Sequence, residues 1–292
     1  MSDILKKQVF VRTANGNKIC LTVHWSGDIH SCEHLVLVLP ALAVKQTFYK
    51  SFAEYLVNNG FISVTLDYQG IGESIVSQDK WSTIQMHHWG IYDIPAVLNY
   101  IQNDLGFPDV FVVAHSAGGQ LLGLAHNSHL VRKAIFVGSG VGYWKLWSFG
   151  GKLKMLIAWY VALPLVTLVY GGFPKWVLGE KVPKGVARQW VRWARKRRYL
   201  MDDLSKEYSR WYDQLDKPIL FVTVQDDGYA PKKAVSVLRD FYSNARIEEW
   251  HIVPQSYGYK SIGHFGFFRG KEALWTELVT WLNNEYNFIR TH

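Results

Sequence analysis

The sequence predicts an α/β protein with a mostly parallel central sheet covered by helices on both faces. Three observations predict it. Short apolar runs of strand length alternate with helix-length amphipathic segments along the chain, the pattern of a sheet whose two faces are both buried. One apolar run ends in a turn of small residues that leads directly into a helix-compatible segment. Finally, 292 residues of which 49% are hydrophobic suffice for one large domain carrying an insertion.

The elements follow in order. His34–Leu39 is an apolar run of strand length, and Tyr49–Val57 has helical spacing. Phe61–Leu66 reads as the next strand and Tyr92–Ile101 as the next helix. Phe111-Val112-Val113 opens the strand that ends in the small-residue turn. Ala134–Gly138, Pro218–Val224 and Ile247–Val253 are later strands, and Leu274–Leu282 is a closing amphipathic helix. No repeat, low-complexity segment or long linker interrupts them.

Two cysteines, Cys20 and Cys32, do not make a disulfide framework, which fits a reducing compartment. The opening residues lack the apolar stretch of a signal peptide, so a cytoplasmic protein is expected. No group of Cys, His or carboxylates has metal-ligand spacing, so neither metal nor cofactor is expected.

The most informative stretch is Phe111-Val112-Val113-Ala114-His115-Ser116-Ala117-Gly118-Gly119. A serine between small residues, on a sharp strand-to-helix turn, is how a hydroxyl is presented as a nucleophile. Ala114 replaces the first glycine of the G-x-S-x-G pattern but keeps its size. A serine needs a base, and the base needs an orienting carboxylate. Asp226 and Asp227 follow the strand Pro218–Val224, and His264 lies in a late loop, Ser261-Ile262-Gly263-His264-Phe265-Gly266.

On these residues the chain resembles the α/β-hydrolase superfamily along nearly its whole length, most of all lysophospholipase-like and serine-aminopeptidase-like bacterial hydrolases. The resemblance implies the chain order Ser116, Asp227, His264. It favours Asp227 over Asp226, because family members carry the acid four residues before a proline, here Pro231. It implies an oxyanion hole formed by the amide of Ala117 and an amide after the strand His34–Leu39. There Pro40-Ala41 replaces the usual His-Gly, and register assigns the donor to Leu42. It also implies that Asp67-Tyr68-Gln69-Gly70-Ile71-Gly72-Glu73-Ser74 matches the family's Asp-x-x-Gly-x-Gly-x-Ser turn, with Asp67 bracing the loop. That stretch has neither the lysine of a phosphate loop nor dinucleotide-site spacing.

Among the other histidines, His251 is expected to pack inside a strand, and His87 and His88 to cap a helix or line a cleft. His115 occupies a position the family tolerates. His88 and Asp93 have a spacing found in some acyltransferases, but they precede the nucleophile and are read as chance.

The charge is uneven. From Lys145 to Arg198 there are twelve Lys or Arg and one acid, Glu180, so this segment carries +11 and the remainder of the +8 chain −3. Six of the thirteen tryptophans also fall between Trp144 and Trp193. The break lies after the sixth strand, where α/β-hydrolases insert a helical cap. We therefore expect a core of residues 1–143 and 202–292 and a basic cap of residues 144–201. Inside it, Met155–Tyr170 is uncharged but interrupted by Pro164. It is shorter than the about twenty residues of a membrane span, and is expected to form one or two apolar helices covering the cleft or lining an acyl pocket. Val186–Arg198 places Val186, Trp190, Trp193 and Ala194 on one helical face and Arg188, Arg192 and Arg195 largely opposite. Such a face can be a solvated surface, rest on an anionic membrane, or attract an anionic substrate. No nucleic-acid module accompanies it.

The functional expectation is a serine hydrolase that cleaves a carboxylic ester or related acyl compound, with a lipophilic small-molecule substrate. Thioesterase, peptidase and acyltransferase action on the same framework, and a non-catalytic binding role, are the alternatives. A dehalogenase would need a carboxylate at Ser116.

Overall fold

The computed structural model describes residues 3–284. Eight strands form one sheet: β1 (Ile4–Arg12), β2 (Lys18–Ser26), β3 (Leu35–Leu39), β4 (Ile62–Leu66), β5 (Val110–His115), β6 (Val131–Val137), β7 (Pro218–Val224) and β8 (Arg246–Ile252). Their spatial order is β1-β2-β4-β3-β5-β6-β7-β8. β1 pairs antiparallel with β2, and β2 with β4; every later pairing is parallel. This is the mostly parallel α/β sheet that the alternation predicts.

β3, β4 and β5 are buried at every residue. β3 and the Val110–Ala114 part of β5 are continuously apolar because both faces are covered, whereas β4 interleaves the buried Ser63 and Thr65 with its apolar residues. Residues facing one way, such as Leu37, Val64 and Val112, join the larger core, while Val36, Val38 and Val113 join a second core with Trp275 and Leu278. The edge strand β1 is largely exposed and carries Lys6 and Lys7, charges that discourage edge-to-edge pairing.

Residues 144–201 lie between β6 and β7. They comprise a helix from Phe149 to Tyr170, a short antiparallel pair of Gly172–Phe173 with Val182–Pro183, and a helix at Lys184–Ala194. The first helix does not break at Pro164. A π turn at Ala158–Ala162 contains Tyr160, the residue four before the proline whose carbonyl the ring would otherwise strike. On the second helix Val186, Trp193 and Ala194 are fully buried and Trp190 half-buried, as expected. They join the larger core of the sheet.

One expectation needs correction. His251 is exposed on the edge strand β8, where its Nδ1 lies 2.9 Å from Thr223 Oγ1; an edge strand leaves one side open, so the residue does not pack. In the apolar stretch Met155–Tyr170 only Trp159 and Thr167 are buried, and much of the rest faces solvent.

Candidate active site

β5 delivers Ser116 to the carboxyl edge of the sheet. Ser116 has φ 51° and ψ −108°, a strained conformation for a side chain with a Cβ. Its N–H donates to the Val137 carbonyl at 3.0 Å. The turn fits only with small neighbours. A Cβ on Gly118 would lie 2.7 Å from the Leu39 carbonyl oxygen, and Ala114 is fully buried against the paired Leu39 and Phe136. Ala117 then opens a helix, so its N–H has no carbonyl partner within that helix.

His264 and Asp227 come together from loops 37 residues apart, with Nδ1 2.8 Å from Oδ2, both side chains almost wholly buried. Asp227 Oδ1 accepts the N–H groups of Tyr229 and Ala230 at 2.8 and 3.0 Å. The carboxylate is thus fixed in orientation, and the imidazole keeps Nε2 available. Ser116 and His264 are not hydrogen-bonded to each other in this structure; such contacts often tighten only with substrate bound. The adjacent His115 ring, however, stands 5.0 Å from that of His264.

Asp226 has a different task. Its two oxygens accept the N–H groups of Ile262 and Gly263 at 3.0 and 2.9 Å, tying down the loop that carries His264. Adjacent carboxylates therefore brace the backbone and the ring of the same histidine loop.

The loop after β3 is strained as well: Ala43 has φ 60°. The Ala41 N–H is taken up by Tyr49 Oη at 2.9 Å. Tyr49 Oη in turn lies 2.8 Å from His115 Nδ1, and His115 Nε2 lies 3.0 Å from the His264 carbonyl. A carbonyl only accepts, so Nε2 carries the proton and Tyr49 donates to Nδ1. Burial, reinforced by the nearby His264, holds the His115 imidazole well below the usual histidine range, which keeps it neutral.

Asp67 accepts the N–H groups of Gln46 and Glu73 at 2.7 and 3.0 Å. Gly72, at φ +53°, passes so close that a Cβ would lie 2.3 Å from Asp67 Oδ2. His88 Nδ1 accepts the Gln85 N–H, closing a helix cap. The fully buried Asp93 accepts the backbone and side-chain N–H groups of Gln69 at 2.9 and 2.7 Å.

Tyr229 and Phe265 flank His264 with ring centroids 5.1 and 5.0 Å away. Beside Phe265 opens a groove of about 490 Å³, lined by Ala43, Phe48, Leu178, Phe265 and Arg269 among others. Among the described residues no cluster of His, Cys, Asp or Glu could hold a metal ion.

Residues 30–257, most of the chain, match the family described as serine aminopeptidase, S33. The chain belongs to this family. Solved structures similar to this α/β-hydrolase include an esterase from Exiguobacterium antarcticum, at TM-score 0.60 and 16% identity over 95% of this chain and 100% of that one. A Pyrococcus furiosus esterase gives 0.59 and 13% over 96% and 90%. A thioesterase domain from the curacin biosynthetic pathway gives 0.56 and 14% over 94% and 99%. At these identities the likeness establishes the fold alone. No curated protein matches the chain in sequence.

Sequence reasoning missed three site features of this α/β-hydrolase: Tyr49, the bracing role of Asp226, and Gly138. At φ +58°, a Cβ on Gly138 would lie 3.0 Å from Asp227 Oδ2 and 3.2 Å from His264 Nδ1. Tyr49 was hidden inside an ordinary helical apolar pattern. Gly138 had a signal, since it directly follows a buried strand.

Proposed function

We propose that the protein is a serine hydrolase that cleaves carboxylic esters or related acyl compounds through an acyl-enzyme. Ser116 attacks the carbonyl and His264 Nε2 takes its proton, later delivering it to the leaving alkoxide. Asp227 holds the ring and stabilises its charged form. The Ala117 and Leu42 N–H groups receive the developing oxyanion; with the Ala41 N–H engaged by Tyr49, Leu42 is the next amide in the loop. Water then releases the acid. The observation that carries this reading is a strained, partly exposed serine on the same sheet edge as a buried, fully oriented Asp–His pair.

The aromatic mouth made by Tyr229, Phe265 and Phe48 suits a lipophilic acyl or alcohol group. Residues 144–201, whose Trp147 Nε1 donates to the Gly228 carbonyl at 2.9 Å, act as the cap in this reading. Thioesters share the same acyl-enzyme, and the thioesterase likeness in fold makes them the second substrate class to test.

The test is side-by-side turnover of nitrophenyl acyl esters, acyl thioesters and aminoacyl amides. Ester turnover should exceed amide turnover, and Ser116→Ala should lower kcat by roughly 10⁶-fold. Ester turnover unchanged in Ser116→Ala would remove the mechanism.

A further inference from the structure

We propose that the helix Phe149–Tyr170 is a membrane-docking element that lies flat on an anionic lipid surface. This inference stands apart from the ester-hydrolase reading. The helix has 22 residues, and only 11% of its most apolar window is buried, so it is not the core helix of a soluble domain. Its exposed side is its greasy side. Phe149, Leu153, Ile157, Val161, Leu165 and Leu168 recur at spacings of three and four and are between 52% and 89% exposed. That is one stripe along a helix roughly 33 Å long at 1.5 Å per residue.

The opposite side belongs to the protein. Trp159 and Thr167 are buried, and Met155, Leu163 and Val166 pack on the core. Arg195 Nε and Nη2 donate to the Trp159 carbonyl at 2.9 and 2.6 Å. A helix held along one side cannot be surrounded by lipid, so it lies in the interface plane and does not cross it. At its far end Tyr170 and Trp176 meet edge-to-face at 5.9 Å, both mostly exposed, the amphipathic rings suited to the headgroup layer.

Charge decides between a lipid surface and a second copy of the chain. Of the twelve basic residues in this segment, Arg192 and Lys196 pair with Asp203, and Lys175 with Glu180. The remainder, including Lys145, Lys152, Lys154 and Arg188, form no ion pair among the described residues. Two copies joined face to face through this stripe would set their like-charged segments against each other, whereas phosphatidylserine would neutralise them. The basic face anticipated at Arg188, Arg192 and Arg195 is thus partly consumed by internal contacts, and the neighbouring apolar helix is the element left without a partner.

The full chain should co-sediment with phosphatidylcholine vesicles containing phosphatidylserine, less at high salt, and weakly with phosphatidylcholine alone. Leu153→Glu, Ile157→Glu and Leu165→Glu should each lower the partition coefficient about tenfold or more. Lys154→Glu should weaken binding to the anionic vesicles only. Melting temperature and hydrolysis of a soluble ester serve as controls and should be unchanged. Failure of the wild type to pellet with phosphatidylserine vesicles overturns the proposal. So does a dimer in sedimentation velocity that Leu153→Glu dissociates, which would put a second copy on the stripe.

Discussion

The Tyr49 hydroxyl stands 2.8 Å from His115 Nδ1 and accepts the Ala41 N–H at 2.9 Å, so one side chain joins the loop after β3 to the strand end that presents Ser116. His115 passes the connection on to the His264 backbone. Tyr49→Phe keeps the ring and removes the joint. Two buried polar groups lose their partner, so stability should fall by about 1–3 kcal/mol. If the loop carries an oxyanion donor, kcat for ester hydrolysis should fall with KM little changed. A variant with unaltered melting and kcat would show that the chain of contacts is idle.

Asp227→Asn and Asp226→Asn separate the two neighbouring carboxylates. The first removes the acceptor that sets the His264 tautomer and should cost about 10⁴-fold in kcat. The second weakens two backbone hydrogen bonds on an exposed side chain. It should lower stability by about 1 kcal/mol and reduce kcat far less. Equal kinetic losses would contradict the division of labour.

Gly138→Ala forces a Cβ against both the Asp227 carboxylate and the His264 ring, at a backbone angle that disfavours side chains. Activity should fall sharply in a protein that still folds, as judged by circular dichroism beside the steady-state rate. Wild-type kcat in this variant would mean that the Asp–His pair has slack the structure does not show.

Acid should destabilise the fold through its buried histidines. Burial lowers the folded-state pKa of His24, His87 and His115, and with His87 nearby takes His88 to about 4. Below the unfolded value of about 6.5 the unfolded chain binds more protons than the native one, so stability is complete above that pH and is lost as pH falls. Urea midpoints measured between about pH 7 and pH 5 should decline, with a slope of up to about 1.4 kcal/mol per pH unit for each group. His115→Gln should flatten the decline. Burial pushes the Asp93 carboxyl well above the usual carboxylate range and works in the opposite direction, so a wild-type profile that His115→Gln leaves unchanged would contradict neutral burial of His115.

What was legible in the sequence was local. β5 announces itself because Val110–Ala114, buried on both faces, is apolar at every position, and the strand-to-helix turn because close packing against Leu39 admits only small residues. Asp227 and His264 were placed by the resemblance to α/β-hydrolases, whose chain order and whose acid four residues before a proline they match. The Tyr49–His115 contact spans 66 residues and exists only once β3 and β5 are adjacent, so no spacing rule reveals it. The task of Asp226 depends on how near the Ile262–Gly263 backbone comes. For Met155–Tyr170 the composition was plain, but an apolar run does not state which of its sides meets solvent, nor that the helix begins at Phe149. The pairing of Arg192 and Lys196 with Asp203 was not visible from the basic segment because Asp203 lies just outside it.

The central claim is that the Ser116 hydroxyl is a nucleophile activated by His264. Intact-mass and peptide analysis after reaction with a fluorophosphonate tests it most directly. One adduct on the Ser116 peptide is expected, lost in Ser116→Ala and strongly slowed in His264→Ala. A folded wild-type protein that stays unlabelled, or labels equally in Ser116→Ala, would contradict it.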